Sequence, residues 1–245
     1  MSKDTLFGPD NPFGKEDFVF DARVSQVFDD MVNRSVPGYQ TIQLLVADLA
    51  LRFANKQNIV DLGCSTGNTL LAILARQNTN PAKLIGIDSS KEMLSQCEKK
   101  LHPHLSQNEI KLQQDDITDA NFKLPVNTSV VILNLVLQFV RPVNRLAVLQ
   151  NIHADLAKQG CVILVEKTQQ KDNLLNDLFI DYYHSYKKEM GYTDLEISQK
   201  REALENRLIP FFSEENTKLL QQAGFTKVTS FFQWMNFQGY LAIKE

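Results

Sequence analysis

The sequence predicts a doubly wound α/β fold built on a mostly parallel sheet. Three observations carry this. Short apolar runs rich in β-branched residues recur between residues 59 and 166, helical patterns separate them, and a small-residue turn, Gly63-Cys64-Ser65-Thr66-Gly67, follows the first run. Strands that are apolar on both faces belong to parallel sheets covered by helices on each side. Alternation of such strands with helices marks the doubly wound class.

Taken in order, Asn58 to Leu62 is the first strand, and a helix from Asn68 to Gln77 follows the turn. Leu84 to Asp88 is the second strand, with a helix from about Lys91 to Leu101 after it. Ile110 to Gln114 and Ser129 to Leu133 are the third and fourth. A helix from about Val143 to Ala157, stopped at Gly160, leads to the fifth, Cys161 to Val165. Before these strands, residues 18–55 hold two helices, the first with Val24, Val27, Phe28, Met31 and Val32 at helical spacing, joined by a turn at Ser35–Tyr39. Residues 171–222 read as almost wholly helical, and the cluster Phe179, Tyr182, Tyr183 and Tyr186 suits a core or a subunit interface. Thr226 to Trp234 and Phe237 to Ile243, broken near Asn236, read as an antiparallel hairpin on the sheet edge. Residues 101–109 read as a surface loop. With no repeat and no linker, residues 1–245 form one domain carrying an N-terminal cap at about 18–55 and a helical insertion at about 171–222.

Composition narrows the class. The 245 residues, 43% hydrophobic and 22% charged, can bury a sizeable core and are not a disordered chain. A net charge of −3 disfavours a chain whose main task is to grip nucleic acid, because phosphate neutralisation supplies most of that affinity. Cys64, Cys97 and Cys161 are odd in number and lack CxxC spacing, which suits a reduced intracellular chain, and the four scattered His form no metal-binding cluster. Residues 1–10 show no signal-peptide pattern. The longest apolar stretch, Val130–Val140, is interrupted by Asn134 and Gln138 and is too short to span a bilayer. The expectation is a cytoplasmic protein without membrane or direct nucleic-acid partners.

Four elements converge on the strand C-termini, where open sheets bind ligands. Gly63, Ser65 and Gly67 let the backbone pass close to a ligand. The turn lacks the Gly-Lys-Ser/Thr of a P-loop and is an imperfect GxGxxG, so a dinucleotide fits poorly. Asp88 ends the second strand, where a carboxylate accepts both hydroxyls of a ribose; it would serve equally as a cap for the helix starting near Ser89 or Ser90. After the third strand, Asp116 can accept from an adenine amino group while the Ile117 N–H donates to a ring nitrogen, and a solvated turn would look the same. Asn134 is a polar residue ending a strongly apolar strand. Cys64 reads as a small residue filling space, with no neighbour in sequence to activate a thiolate. Glu166 is either buried structure or site rim.

The run Asp61-Leu-Gly-Cys-Ser-Thr-Gly67, with Ile87-Asp88, Asp116-Ile117 and Leu133-Asn134 in this order and spacing, resembles the Rossmann-like S-adenosylmethionine-dependent methyltransferases. The resemblance covers roughly residues 58–166 plus the terminal hairpin. Phe20-Asp21, Asp30-Met31, Arg34-Ser-Val-Pro-Gly-Tyr39, Leu135 to Phe139, Ser198-Gln-Lys-Arg201, Leu204-Glu-Asn206, Trp234 and Asn236-Phe237 narrow it to a branch that carboxylates S-adenosylmethionine instead of methylating an acceptor. An Asn/Asp-Pro-Pro-Tyr/Phe acceptor motif is missing after the fourth strand, where Asn134 to Gln138 stands.

That resemblance implies S-adenosyl-L-methionine and prephenate as substrates, with carboxy-S-adenosyl-L-methionine and phenylpyruvate as products. It implies a route through a sulfonium ylide that captures the carboxyl group lost as prephenate aromatises. It also implies a homodimer, and a separate tRNA carboxymethyltransferase that uses the product on a wobble uridine. Carried onto this chain, it places the methionine end on Gly63, Cys64, Ser65 and Asn134, the ribose on Asp88 beside Ser89, the adenine on Asp116 and Ile117, and the added carboxylate near Tyr39 and Arg201. A guanidinium suits a carboxylate because it pairs in bidentate fashion. Arg201 is otherwise a helical surface charge facing Glu205 at i+4, and Tyr39 a turn aromatic lying against the cap. Arg34 is a second anion candidate or a plain surface charge. The rival readings are a small-molecule or tRNA methyltransferase of the same fold and a nucleoside-binding regulatory protein without catalysis.

Overall fold

In the computed structural model, which describes residues 2–9, 16–77, 82–105 and 110–245, the predicted strands form one sheet. The parallel strands are β1 (Asn58–Leu62), β2 (Leu84–Asp88), β3 (Ile110–Gln114), β4 (Thr128–Asn134) and β5 (Cys161–Gln169). A two-residue strand, β6 (Phe211–Phe212), pairs in parallel with the end of β5. The hairpin β7 (Lys227–Trp234) and β8 (Phe237–Ile243) joins antiparallel through β8, in the order β3-β2-β1-β4-β5-β8-β7.

Strand side chains alternate between two cores, as the period of two requires. Ile59, Val130, Ile132 and Ile163 meet α2 (Tyr39–Phe53), α3 (Asn68–Leu74) and α4 (Lys91–Leu105) on one face. Val60, Val131, Leu133 and Leu164 meet α5 (Pro142–Asp155) and α8 (Ser213–Gln222) on the other. Each such side chain, fully removed from water, contributes roughly 1.5–3 kcal/mol, which is why β1 and β4 tolerate polar residues only near their ends. A third cluster joins Phe18, Val24, Val27 and Met31 of the N-terminal segment and α1 (Ala22–Ser35) to Met93 on α4 and Ala203 on α7 (Asp194–Leu204). With α6 (Asn173–Glu189), these helices wall the C-terminal edge of the sheet, where β1 and β4 lie side by side and connections leave in opposite directions.

Several boundaries differ from expectation. The first Rossmann-type helix ends at Leu74 rather than Gln77, because the Arg76 and Gln77 N–H groups turn to the i−3 carbonyls of Ile73 and Leu74 and tighten the last turn. Residues 101–105, expected in a loop, continue α4, anchored by the buried Leu101; 106–109 lie outside the described residues. The helical insertion is interrupted by β6, whose backbone pairs with Thr168 and Gln169 and lengthens β5 past Val165.

The turn between β1 and α3 is held from behind. Gly67 has φ +84°, and a Cβ there would lie 2.7 Å from Cys97 Sγ and 2.9 Å from Leu101 Cδ1 on α4. On the α1 side, the Asp29 carboxylate accepts from the Thr66 hydroxyl, from Asn68 Nδ2 at 2.9 Å and from the Lys100 ammonium at 2.7 Å. Burial opposes the Asp29 charge, but the Lys100 ammonium and the Thr66 and Asn68 donors outweigh it and hold the carboxyl below its usual range.

Two predictions test this bracing. Gly67→Ala adds a left-handed alanine and an overpacked contact, and should lower the urea-unfolding free energy by roughly 2–4 kcal/mol; a loss under about 0.5 kcal/mol would mean that α4 yields freely. A carboxyl with a depressed folded-state pKa stabilises above its unfolded pKa, and that contribution is lost as pH falls through the folded value. Asp29→Asn should therefore flatten the acid limb of thermal stability below about pH 4 while costing about 1–3 kcal/mol at neutral pH; an acid limb parallel to wild type would contradict the assignment.

Candidate active site

A cavity of about 860 Å³ opens at the C-terminal ends of β1 and β4. Its lining brings together Tyr39, Gly63, Cys64, Ser65, Ser89, Asp116, Ile117, Asn134 and Arg201. Nine of the ten residues expected to hold a ligand thus share one wall system, although they come from six separate stretches of chain.

Asp88 is the exception. It does not line the cavity but lies beneath the turn, with one carboxylate oxygen accepting the Ser65 N–H at 2.9 Å and the other the Ser90 N–H at 2.8 Å. Of the two expectations for Asp88, the capping one is met in part: it caps the approach to α4, and it also clamps the turn. A carboxylate oxygen has two acceptor positions, so capacity toward a ligand hydroxyl remains. Burial raises its pKa, and the Ser90 and Ser65 amides work against that rise.

Two buried side-chain oxygens, one on the cavity-lining Asn134 and one on β1, are unmatched among the described residues. Asn134 Nδ2 sits 3.4 Å from Thr69 Oγ1, while its Oδ1 is buried without a partner, as is Oδ2 of Asp61 on β1. Burial, then the nearby Asp88, pushes the Asp61 carboxyl well up. Unsatisfied buried acceptors are expensive, so Asn134 Oδ1, on a residue that lines the cavity, can accept from a donor-bearing group. Gly63 has φ +71°, and Val136 stands so close that a Cβ there would fall 2.6 Å from its Cγ2.

The adenine-side candidates differ in exposure. Asp116 is exposed and its Oδ1 accepts from the N–H and hydroxyl of Thr118, at 2.8 and 2.7 Å, while Ile117 is half-buried beside it. Phe20 and Phe139 meet edge to face at 5.0 Å and supply an apolar wall. Tyr39 begins α2; its buried phenol oxygen accepts from Asn68 Nδ2 at 3.2 Å, and burial keeps it protonated. It is therefore part of the cavity wall and not only an aromatic against the cap.

The opposite end is cationic. Arg201 is exposed on α7, and no ion pair with Glu205 occurs among the described residues. Lys167 at the end of β5, with His184 and Lys187 on α6, lines the same end. These three were missed by sequence reasoning. The usable signal was Lys187, four residues after Tyr183 and thus on the same helix face as the aromatic cluster. Lys200 also reaches the lining, but its ammonium donates to Ser35 Oγ at 2.8 Å and lies 3.4 Å from Asp4 Oδ2, so it is tied into the frame.

Three further expectations resolve. Arg34 is neither surface charge nor anion site: it is 8% exposed, donates to the Met190 carbonyl at 2.9 Å and Asp30 Oδ2 at 3.1 Å, and stacks on Tyr192. Glu166 is buried structure, accepting the Leu137 N–H at 2.9 Å; burial, against Arg145, pushes its pKa up to about 8. Cys64 fills space against Gly86, and its contact with Cys97 and its burial raise its thiol pKa.

Known proteins place this architecture. A methyltransferase-domain family profile matches residues 59–160. Among solved structures, an O-methyltransferase family protein from Burkholderia thailandensis superposes with TM-score 0.66 at 19% identity, over 98% of this chain and 63% of that one. That likeness shows the fold, and this chain spans a little under two thirds of that protein's length. Among curated relatives, the carboxy-S-adenosyl-L-methionine synthase of Methylococcus capsulatus is 42% identical over all of both chains. The synthase of the same name from Desulfotalea psychrophila is 43% identical over 99% of this chain and 97% of that one. The chain belongs to the carboxy-S-adenosyl-L-methionine synthase family, transferases of the methyltransferase fold whose substrate is S-adenosyl-L-methionine.

Proposed function

We propose that this enzyme converts S-adenosyl-L-methionine and prephenate into carboxy-S-adenosyl-L-methionine and phenylpyruvate, and that its product supplies a separate tRNA carboxymethyltransferase acting on wobble uridine. The observation that carries this reading is a single cavity that joins a cofactor-type pocket at the strand ends to a cationic end. A methyl acceptor would need no such charge, whereas a dicarboxylate substrate and a carboxylated product both do.

In this reading the methionine ammonium rests on the unmatched acceptors of Asn134 and Asp61, and its carboxylate on the Gly63–Ser65 backbone. Asp88 and Ser89 hold the ribose, and Asp116 with the Ile117 N–H hold the adenine. The methyl group then points toward Tyr39 and Arg201. Prephenate aromatises by losing its ring carboxylate as carbon dioxide and its ring hydroxyl as hydroxide. The methyl proton leaves with that hydroxide as water, and the resulting ylide carbon forms the new bond to carbon dioxide. The bond electrons, proton and leaving group balance without an oxidant. Walls that exclude bulk water matter here, since both ylide and carbon dioxide would otherwise be lost.

Residues 1–245 would act as a single domain, as a homodimer in the cytoplasm. No helix among the described residues is long and apolar enough to cross a membrane. In support of the dimer, α6 exposes Leu174, Leu175, Leu178 and Tyr182 in one neighbourhood, and Arg201 on the adjacent α7 is open enough to serve its own or a neighbouring site.

The direct test is incubation with S-adenosyl-L-methionine and prephenate, followed by mass spectrometry. Phenylpyruvate should form together with a cofactor heavier by one carboxyl group. Methylation of an offered acceptor, with prephenate left intact, would favour a methyltransferase. Arg201→Ala should weaken carboxy-S-adenosyl-L-methionine by about ten- to a hundredfold, the worth of one charge-assisted carboxylate pairing, and leave S-adenosyl-L-methionine nearly unchanged. Equal losses for the two ligands in calorimetry would remove Arg201 from that role.

A further inference from the structure

The cationic end contains two lysine amino groups with no anion to meet them among the described residues. Lys187 is 6% exposed, yet its Nζ has no hydrogen bond or ion pair among the described residues and lies 4.3 Å from the centroid of the Tyr183 ring. Lys167 is half-buried, and its Nζ lies 4.8 Å from the same centroid, again without an acidic partner among the described residues. A ring face compensates a buried ammonium only in part. The neighbouring charges make matters worse. Lys200 on α7 and Lys167 on β5 face Lys187, and Arg201 faces Lys167. The nearby acids are committed or distant: Asp4 pairs with Lys200, Asp181 acts on His184, and the cavity-lining Asp116 and Glu205 form no pair with either lysine.

Proteins seldom set two unpaired lysines against one ring in a cavity wall unless an anion completes them. We propose that Lys167 and Lys187 form a second carboxylate subsite, separate from Arg201, which binds the 2-oxo-acid carboxylate of the dicarboxylate substrate. Resting on the reading of the reaction above, this divides the two carboxylates between two places. Arg201 takes the one that is transferred to the cofactor, and the lysine pair takes the one that stays on the departing 2-oxo acid. The Tyr183 ring, within 5 Å of both ammonium groups, and the Phe237 ring at 5.3 Å from it give the apolar surface on which the substrate's six-membered ring would lie. Separate anchors explain how the enzyme would keep the donor's ring in place while its other carboxyl group leaves.

Burial and the neighbouring cations lower the pKa of Lys187 to about 6, and burial lowers that of Lys167 to about 8. A carboxylate arriving beside them favours the protonated forms. Binding near pH 7.5 should thus draw in close to one proton per ligand.

The test uses full-length protein saturated with S-adenosyl-L-methionine. Phenylpyruvate is titrated in calorimetry at pH 7.5 in two buffers of different ionisation enthalpy, and KM for prephenate is measured alongside. Lys187→Met should raise that KM and the phenylpyruvate Kd by tenfold or more and cut proton uptake to roughly a quarter of a proton or less, the share left to Lys167, with S-adenosyl-L-methionine affinity unchanged. Its Tm should hold or rise, because a buried amine without a hydrogen-bond partner among the described residues is replaced by an apolar side chain of similar length. Lys167→Met, on a different element, should raise the same two constants. Wild-type turnover with both variants retaining wild-type KM, Kd and proton uptake would overturn the subsite alone. Wild-type protein that neither turns over prephenate nor binds phenylpyruvate would overturn the proposed reaction and the subsite with it.

Discussion

The hydrogen bond from the Ser65 N–H to the Asp88 carboxylate fastens the turn after β1 to the end of β2. Parallel strands present only backbone at their ends, and a turn there is free to swing unless something reaches across. Asp88 reaches across, and the turn is pressed from two more sides: α4 closes on Gly67, and Val136 closes on Gly63. Asp29, Thr66, Asn68 and Lys100 then lock the turn to α1 and α4. The cavity floor, the unmatched acceptors of Asn134 and Asp61, and the position of Tyr39 over Asn68 all follow from where this turn is held. A carboxylate with two oxygens is the smallest group that can hold the turn, cap the next helix and still offer lone pairs to a ligand.

From that floor the site runs along a gradient of charge. Acidic and neutral polar groups lie at the strand ends, where an ammonium and a sulfonium would be welcome. Lysine and arginine side chains lie toward α6 and α7, where carboxylates would be. In the proposed reaction, such a gradient would let one cavity take a cationic donor and an anionic co-substrate with their reacting atoms between the two fields. Aromatic surfaces from Phe20, Phe139, Tyr183 and Phe237 line the passage and limit solvent.

Much of this was legible in the sequence for a local reason. Apolar β-branched runs end where the sheet ends, so Asp88 and Asn134 mark its C-terminal edge by interrupting them, and the boundaries of the predicted strands fell within a residue or two except at β5. The lysine pair was not legible, because a lysine on a helix normally reads as a solvated charge, and Lys187 is buried beside Tyr183 on its own helix with Lys167 on β5 and Lys200 on α7 brought near it from elsewhere in the chain. Arg34 was misread for the same reason: its partners are Met190 and Tyr192, more than 150 residues on. Glu166 could be placed only once the backbone of Leu137 was seen to donate to it. Short-range pattern thus located the strand-end half of the cavity, while the cationic half depends on tertiary contacts among α6, α7 and β5.

The central claim is that this cavity holds a carboxylated cofactor, and the most direct measurement is mass spectrometry of the small molecule released when freshly purified protein is denatured. The account predicts S-adenosyl-L-methionine carrying one additional carboxyl group, retained because Arg201 and Tyr39 favour it over the uncarboxylated form. Release of S-adenosylhomocysteine, with no carboxylated species even after incubation with prephenate, would contradict it and return the chain to methyl transfer.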